Sequence, residues 1–396
     1  MKDLIDNRLQ QDIFKLLYQH QSLSIADISK LLKKSVPNIT KIINELMEAQ
    51  CIEEQGYAPS TGGRRAVQYT IHGKLNQAVI AVAVDQYYTT AGILSLKNKE
   101  LIPLQTIENK LDQAHSSFDN IKLIIQNLLK SPIFKTKKCL GIGISMPGFV
   151  DSKLGINGSY PEGSKLHQIK NLLEAEFSVP IFLENDSAVI AIAEHKLGAA
   201  KGSQNALIIN MNWGVGLGMI INNQLFRGHS GYAGEFSHIP LSNTQKLCSC
   251  GKRGCMEVEA SLIAALEYAN EQLEKGEHSS LQHLSELQEF SHGDFLLKAA
   301  LSGDQLAIKA LNKSAYMIGK GVATLIHILN PEKIILSGRG AIAGSIIVPT
   351  VQSAVNEFAI PQIAHYTNIE LSKLNIHAQL LGTTYLVVEK SNFPKV

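Results

Sequence analysis

Between Gly228 and Glu257 the chain reads GHSGYAGEFSHIPLSNTQKLCSCGKRGCME, with one histidine, His238, and three cysteines, Cys248, Cys250 and Cys255. Imidazole nitrogen and thiolate sulfur are ligands that zinc prefers. One nitrogen with three sulfurs closes a tetrahedron with no open position, the structural rather than the catalytic type. Gly251 and Gly254 allow tight turns between the ligands. Two plainer readings are ordinary reduced thiols and a Cys248–Cys250 bridge. A bridge across one intervening residue is badly strained, and four ligands within 18 residues favour bound Zn²⁺. Holding the loop by a metal contributes on the order of 10 kcal/mol locally, by analogy with zinc-finger peptides.

A chain of 396 residues is too long for one ordinary core and implies two or three domains. With 45% hydrophobic and 18% charged residues it reads as compact and soluble, and its formal charge of +2 says little about partners. No apolar run is long enough for a bilayer, and MKDLIDNRLQ lacks the apolar core of a signal peptide. A cytoplasmic location with no membrane partner is the expectation. Five cysteines, three of them in the metal stretch, fit a reducing compartment. Cys51 and Cys139 read as core thiols.

Residues 1 to 72 have the periodicity of three helices closed by a hairpin. Leu9, Ile13, Leu16 and Leu17 share one face, and Ile25, Ile28, Leu31 and Leu32 another, opened by Ser24 as an N-cap. The third helix starts at Ser35, tolerates Pro37 in its first turn, and turns Ile39, Ile42, Ile43, Leu46 and Met47 inward. This is a helix-turn-helix pattern. Lys30, Lys33, Lys34 and Lys41 run with no acid between Asp27 and Glu45. That puts positive charge at the leading end of a recognition helix, where Val36, Pro37, Asn38 and Lys41 reach base edges, the remaining lysines meet phosphates, and Ser35 is a further DNA contact. A hairpin follows, with Gly62, Gly63, Arg64 and Arg65 at its tip, suited to a narrow minor groove. The plainer reading is a solvated basic face on a dimerisation bundle. Taken together, the features favour double-stranded DNA.

From Gln77 onward short apolar strands alternate with helices, first around QAVIAVAVD, TTAGILSL and CLGIGISM, then again after Pro180 through PIFLEND, ALIINM and GLGMII. Periodicity alone establishes α/β architecture. The expected division is 1–72, then a smaller lobe over 73–198 completed by 380–396, and a larger lobe over 199–379 carrying the cysteine stretch.

GHSGYAGEFSH with CSCGKRGCME, and LENDSAVIAIAEHKLGAAKG from Leu183 to Gly202, resemble the signature of the ROK family of repressors, open reading frames and sugar kinases. The resemblance extends over most of the chain. It implies a two-lobed actin-like, RNase H-like fold behind the winged helix-turn-helix, which the kinases of the family usually lack. It also implies Asn185, Asp186, Glu235, His238 and Glu257 as sugar contacts, with Asp186 the general base in a kinase, a role suited to a carboxylate at a strand end. Without the motif, Asn185 and Asp186 read equally well as caps of the helix that starts at Ser187. Ser145, Pro147 and Gly148 belong to a turn expected to line the same cleft.

The family's Asp-x-Gly-Gly-Thr phosphate turn is here Asp85, Gln86, Tyr87, Tyr88, Thr89, and Trp213 stands where the kinases usually have threonine. Ser337 and Arg339 interrupt a further glycine turn. Tyrosines in place of glycines stop the backbone from bending and approaching a phosphate. ATP and Mg²⁺ are therefore not expected. The favoured function is a sugar-responsive repressor with a sugar or sugar-phosphate effector, a homodimer or tetramer. The alternatives are a hexose or amino-sugar kinase that also binds DNA, and a repressor answering to a sugar-transport protein. Helices near Ala260 to Leu266 and Ala307 to Leu329 read as apolar surface for pairing.

Overall fold

The computed structural model describes residues 8–57, 65–73, 75–111 and 114–391. Helix α1 (Arg8–His20) buries Ile13, Phe14, Leu17 and Tyr18. Helix α2 (Ile25–Leu32) opens with a complete capping box, in which the Ser24 hydroxyl accepts from the Asp27 N–H and the Asp27 carboxylate accepts from the Ser24 N–H. Helix α3 (Val36–Glu48) carries Pro37 in its first turn, where a missing N–H costs nothing. Ser35 is its N-cap by backbone position, but its side chain makes no capping bond. Strands β1 (Ile52–Tyr57) and β2 (Val67–Ile71) pair antiparallel as a wing. Of the expected wing tip, Gly62, Gly63 and Arg64 lie outside the described residues, and Arg65 is exposed.

The first lobe begins with β3 (Gln77–Val84), buried along its whole length. It continues with β4 (Tyr88–Ser95), β5 (Gln105–Glu108), α4 (Ala114–Leu129), β6 (Lys138–Met146), β7 (Val150–Asp151), β8 (Ile156–Asn157), α5 (Ile169–Phe177) and β9 (Ile181–Asn185). Its sheet order is β5-β4-β3-β6-β9, the first three strands antiparallel and the last two added in parallel. Helix α6 (Asp186–Lys196) leads to β10 (Ala206–Met211), β11 (Val215–Ile221) and β12 (Gln224–Leu225). A long loop ends at α7 (Glu257–Ala260). Then come α8 (Leu262–Glu274), α9 (His292–Leu301), α10 (Gln305–Leu329), β13 (Lys333–Ser337), α11 (Gly344–Phe358), α12 (Pro361–Ala364), β14 (Asn368–Leu371) and α13 (His377–Lys390). The second sheet, β12-β11-β10-β13-β14, repeats the order and directions of the first. The repeat is the two-lobed actin-like α/β fold expected behind a winged helix-turn-helix.

Helix α13 packs on β3 and β6 of the first sheet and along α6, which in turn covers β10 and β11 of the second. The two helices touch through their backbones. A Cβ added at Gly382 of α13 would lie 1.9 Å from the carbonyl oxygen of Val189 in α6. The winged helix shares a core with this region, where Tyr18 and Leu46 join Val79, Leu140, Ile192, Tyr385 and Val388 in one apolar cluster. The Tyr18 hydroxyl donates to Asn98 Oδ1 (2.6 Å), and its ring lies 5.5 Å from that of Tyr385. Cys51 is buried in this core and Cys139 half-buried in β6.

The helices expected to offer a pairing surface bury most of their apolar residues, although Tyr316 and Ile328 of α10 stay exposed. Ala260, Leu262, Ala265 and Leu266, and most apolar residues of α10, are buried within the second lobe against α11 and β13. These faces are taken up largely by packing the helices of the second lobe on one another.

Gly382→Ala should force α6 and α13 apart and lower stability by about 1–3 kcal/mol, read as a lower denaturant midpoint for the whole chain.

Candidate functional site

A cleft of about 870 Å³ opens between the lobes. Strand β9 delivers Asn185 to its floor, and α6 starts there. The Asn185 Oδ1 accepts from the Ala188 N–H (3.1 Å), capping α6, while its Nδ2 donates to the Gly148 carbonyl (3.1 Å). Asp186 accepts from the Ser187 N–H through Oδ1 (2.8 Å) and from Asn210 Nδ2 through Oδ2 (3.1 Å). Removal from water pushes its carboxyl up to about 6, and the nearby Asp85 carboxylate adds to this. The cap and the cleft are thus served by the same two residues. Glu235, His238 and Glu257 line the same cleft from the second lobe. Pro147 and Gly148 line it as expected, but Ser145 does not. Its hydroxyl lies at the buried end of β6, where it accepts from Thr383 (2.8 Å) and Gln379 (3.1 Å) of α13.

The loop after Gly234 gathers His238, Cys248, Cys250 and Cys255 into one cluster, with one ligand atom from each within 4.8 Å of all the others. Cys248 Sγ is 3.5 Å from His238 Nδ1, and Cys250 Sγ is 3.6 Å from Cys255 Sγ. His238 divides its ring. Nδ1 faces the sulfurs, and Nε2 points to Glu235 Oε2 at 3.5 Å on the cleft side. These residues can hold a metal ion, and the ion would orient a side chain that also lines the cleft.

One end of the cleft is closed by the chain's own side chains. Trp213 is buried and meets Tyr87 edge to face at 4.6 Å. The Arg339 guanidinium stacks on Tyr88 at 4.7 Å, lies 3.9 Å from Asp85 Oδ2, and is hydrogen-bonded to Asp294. Asp85 also accepts from Asn212 Nδ2 (3.2 Å). Burial pushes the Asp85 carboxyl up, opposed by the positive Arg339. Asp85, Tyr87 and Tyr88 come from the first lobe, and Asn212, Trp213, Asp294 and Arg339 from the second, so the packing spans the two.

On the winged helix, Lys33, Lys34, Ser35, Val36, Pro37, Asn38 and Lys41 are all exposed. They form one continuous surface over the turn and the start of α3. Gln10 Nε2 donates to the Glu45 carboxylate (3.1 Å), drawing the first acid of α3 toward α1.

The sequence profile of the ROK family matches residues 103–390, and that of a winged helix-turn-helix DNA-binding domain matches residues 6–53. The chain belongs to the ROK family. It is 26% identical to a putative xylose repressor of a Caldicellulosiruptor species, covering 95% of this chain and 94% of that protein. It is 28% identical to the DNA-binding transcriptional dual regulator NagC of Escherichia coli K12, covering 97% and 93%. Among solved structures it is similar to a ROK family transcriptional regulator, a homologue of the E. coli MLC protein, with TM-score 0.77, 24% identity, and coverage of 97% and 96%. A ROK glucokinase from Streptomyces griseus, in complex with glucose and AMPPNP, shares the fold at TM-score 0.67 and 24% identity, over 78% of this chain and 98% of that one. This ROK chain therefore joins a DNA-binding unit to a sugar-kinase-like fold.

Sequence reasoning missed three cleft residues in this ROK chain. Asn210, at the end of β10, bonds both Asp186 and Ser187. Glu184 is buried and accepts from Arg227 Nη2 at 2.6 Å. Glu184 adjoins the Asn-Asp pair and Arg227 adjoins the glycine-rich stretch, but the spacing of neither residue reveals the pair.

Because Asp186 ionises near 6 when folded and near 3.8 when unfolded, the folded state binds more protons between these values, and stability falls as pH rises through that window. Asp186→Asn lacks that cost. Its Oδ1 keeps the Ser187 bond, and Asn210, whose Oδ1 has no partner among the described residues, can turn to receive the new amide. The ligand-free variant should exceed wild type by up to about 3 kcal/mol at pH 8, with a smaller gain at pH 5, measured by denaturant unfolding.

Proposed function

We propose that the chain is a sugar-responsive transcriptional repressor of carbohydrate-metabolism genes that uses a degenerate sugar-kinase fold as its sensor. The observation that carries this reading is the asymmetry of the cleft. Its polar end is open, while the place of the first phosphate turn is packed with Tyr87, Tyr88, Trp213 and Arg339. Names of full-length relatives, a xylose repressor and NagC, agree with it.

In this reading Asn185, Asp186, Glu235, His238 and Glu257 hold the hydroxyls of a sugar or sugar phosphate. Ser35, Pro37, Asn38 and Lys41 read an operator, Lys33 and Lys34 contact its phosphates, and the wing tip with Arg64 and Arg65 enters a narrow minor groove. A homodimer in the cytoplasm presents two such units to a palindromic site. The route between the sites is α6, which starts at the cleft and ends with Lys196 5.8 Å over the ring of Tyr385, itself packed on Tyr18. An effector that binds one lobe arrangement better than the other shifts DNA affinity through this helix, with a coupling of about 1–3 kcal/mol.

Zinc is the metal we propose for the cysteine cluster. Zn–S bonds near 2.3 Å and Zn–N bonds near 2.0–2.1 Å in a tetrahedron set ligand separations of about 3.8 and 3.6 Å. The 3.6 Å Cys250–Cys255 and 3.5 Å Cys248–His238 separations fit them. Metal analysis of purified protein should find one zinc per chain. Its removal by chelation should abolish effector binding while leaving the far-ultraviolet spectrum of the helices largely unchanged.

The position of Asp186 favours a second reading, a hexose or amino-sugar kinase that also binds DNA, because its raised ionisation suits a general base. Titration with hexoses, amino sugars and their 6-phosphates, with and without Mg-ATP, separates the two. Saturable binding that changes operator affinity, without sugar phosphate formed, is the expected result. Asn38→Ala should weaken operator binding by about 1–3 kcal/mol and leave effector binding unchanged. Steady ATP-dependent phosphorylation abolished by Asp186→Asn would establish the kinase instead.

A further inference from the structure

The open half of the cleft has a charge balance and a rim that a single phosphorylated sugar does not explain. Its lining carboxylates are Glu184, Asp186, Glu235, Glu257 and Glu267, with Asp85 at the closed end beside Arg339, against two cationic side chains, Arg227 and Lys246. Both cations are already paired, Arg227 with Glu184 at 2.6 Å and Lys246 with Glu267. A phosphate entering here would face acids with no free lysine or arginine among the described lining residues. Like charges brought together away from bulk water repel strongly. A neutral ligand meets the same acids as hydrogen-bond acceptors for its hydroxyls.

The rim is aromatic. Phe149, Phe226 and Tyr232 line the cleft, yet remain 38%, 48% and 36% exposed. Phe149 of the first lobe meets Tyr232 of the second edge to face at 5.8 Å, across the mouth. Both belong to the segments that build the polar end. The carbonyl of Gly148, next to Phe149, accepts from Asn185, and Tyr232 lies three residues before Glu235. Large aromatic groups left exposed along a groove mark a binding surface. The apolar faces of pyranose rings, lined with C–H groups, suit aromatic rings whose faces carry partial negative charge. The volume of about 870 Å³ lies at the upper end of the roughly 300–1,000 Å³ of pockets for drug-sized ligands, well beyond one ring.

We propose that the effector is an uncharged glycoside of at least two sugar rings. One ring is held at Asn185 and Asp186, and the next lies on the rim of Phe149, Tyr232 and Phe226. This rests on the sugar-sensor reading above and replaces "sugar or sugar phosphate" by a disaccharide or longer glycoside.

Calorimetric titration of the full-length, zinc-loaded protein tests it. The probes are glucose, N-acetylglucosamine and xylose, the 6-phosphates of the first two, and the disaccharides cellobiose, maltose, chitobiose and xylobiose. At least one disaccharide should bind on the order of tenfold tighter than its own monosaccharide, and neither 6-phosphate should bind tighter than its parent sugar. Tyr232→Ala and Phe149→Ala should bring the disaccharide down to the level of the monosaccharide without changing the latter, and Tyr232→Phe should retain the preference. Equal or tighter binding of monosaccharides or phosphates, or variants that weaken both ring sizes equally, would overturn the proposal while leaving the sugar-sensor reading in place. Failure of every sugar to bind would overturn both.

Discussion

Helix α6 is squeezed between α13 and the second sheet at backbone contact distance, and most of the molecule is arranged by that contact. Gly382 removes the side chain that would otherwise strike the Val189 carbonyl, and Gly218 of β11 does the same opposite the Ser187 carbonyl. With no side chains to give way, the helix can shift only as a unit with its neighbours. Its first turn forms the cleft floor, with Asn185 as cap and Asp186 pinned by Ser187 and Asn210. Its last turn reaches the core that the winged helix shares with the first lobe. A rigid element with one end at a ligand and the other at a DNA-binding unit is a physical basis for coupling, since both sites bias the same piece of structure.

The two halves of the cleft follow opposite chemistry. In the closed half, an arginine stands among Asp85, Asp294, Tyr88 and Trp213, so a fixed side chain supplies the positive charge beside the buried Asp85. Aromatic edges and faces from both lobes complete the seal. In the open half carboxylates outnumber the lysine and arginine side chains, which are already paired with Glu184 and Glu267, and Asp186 is held above its ordinary range by burial. Fixed polar groups facing an open space store a preference for a ligand that can satisfy them. The cysteine loop serves this half, because His238 turns one nitrogen to the sulfurs and the other to Glu235.

Much of the fold was legible because periodicity is local. The three amphipathic helices, the capping box at Ser24 and the alternating strands all follow from residues within a few positions of each other. The cysteine spacing was legible for the same reason. Arg227 with Glu184, Arg339 with Asp85 and Asp294, and Asn210 with Asp186 were not, since each joins segments far apart in the chain. The apolar residues of α10 show the limit from the other side. Their hydrophobicity was plain, but whether they faced a partner or their own lobe depended on what folded over them.

Residue type at short spacing was enough for the helix-turn-helix, the α/β character, the histidine and cysteine cluster that can hold a metal ion, and the replacement of phosphate-turn glycines by tyrosines. Tertiary packing set the contacts of those tyrosines with Trp213 and Arg339, brought α6 against the core shared with the DNA-binding unit, and paired Arg227 and Lys246 at the cleft with Glu184 and Glu267. Those facts depend on which distant side chains meet, and that is set by the packing of two lobes around one pair of helices.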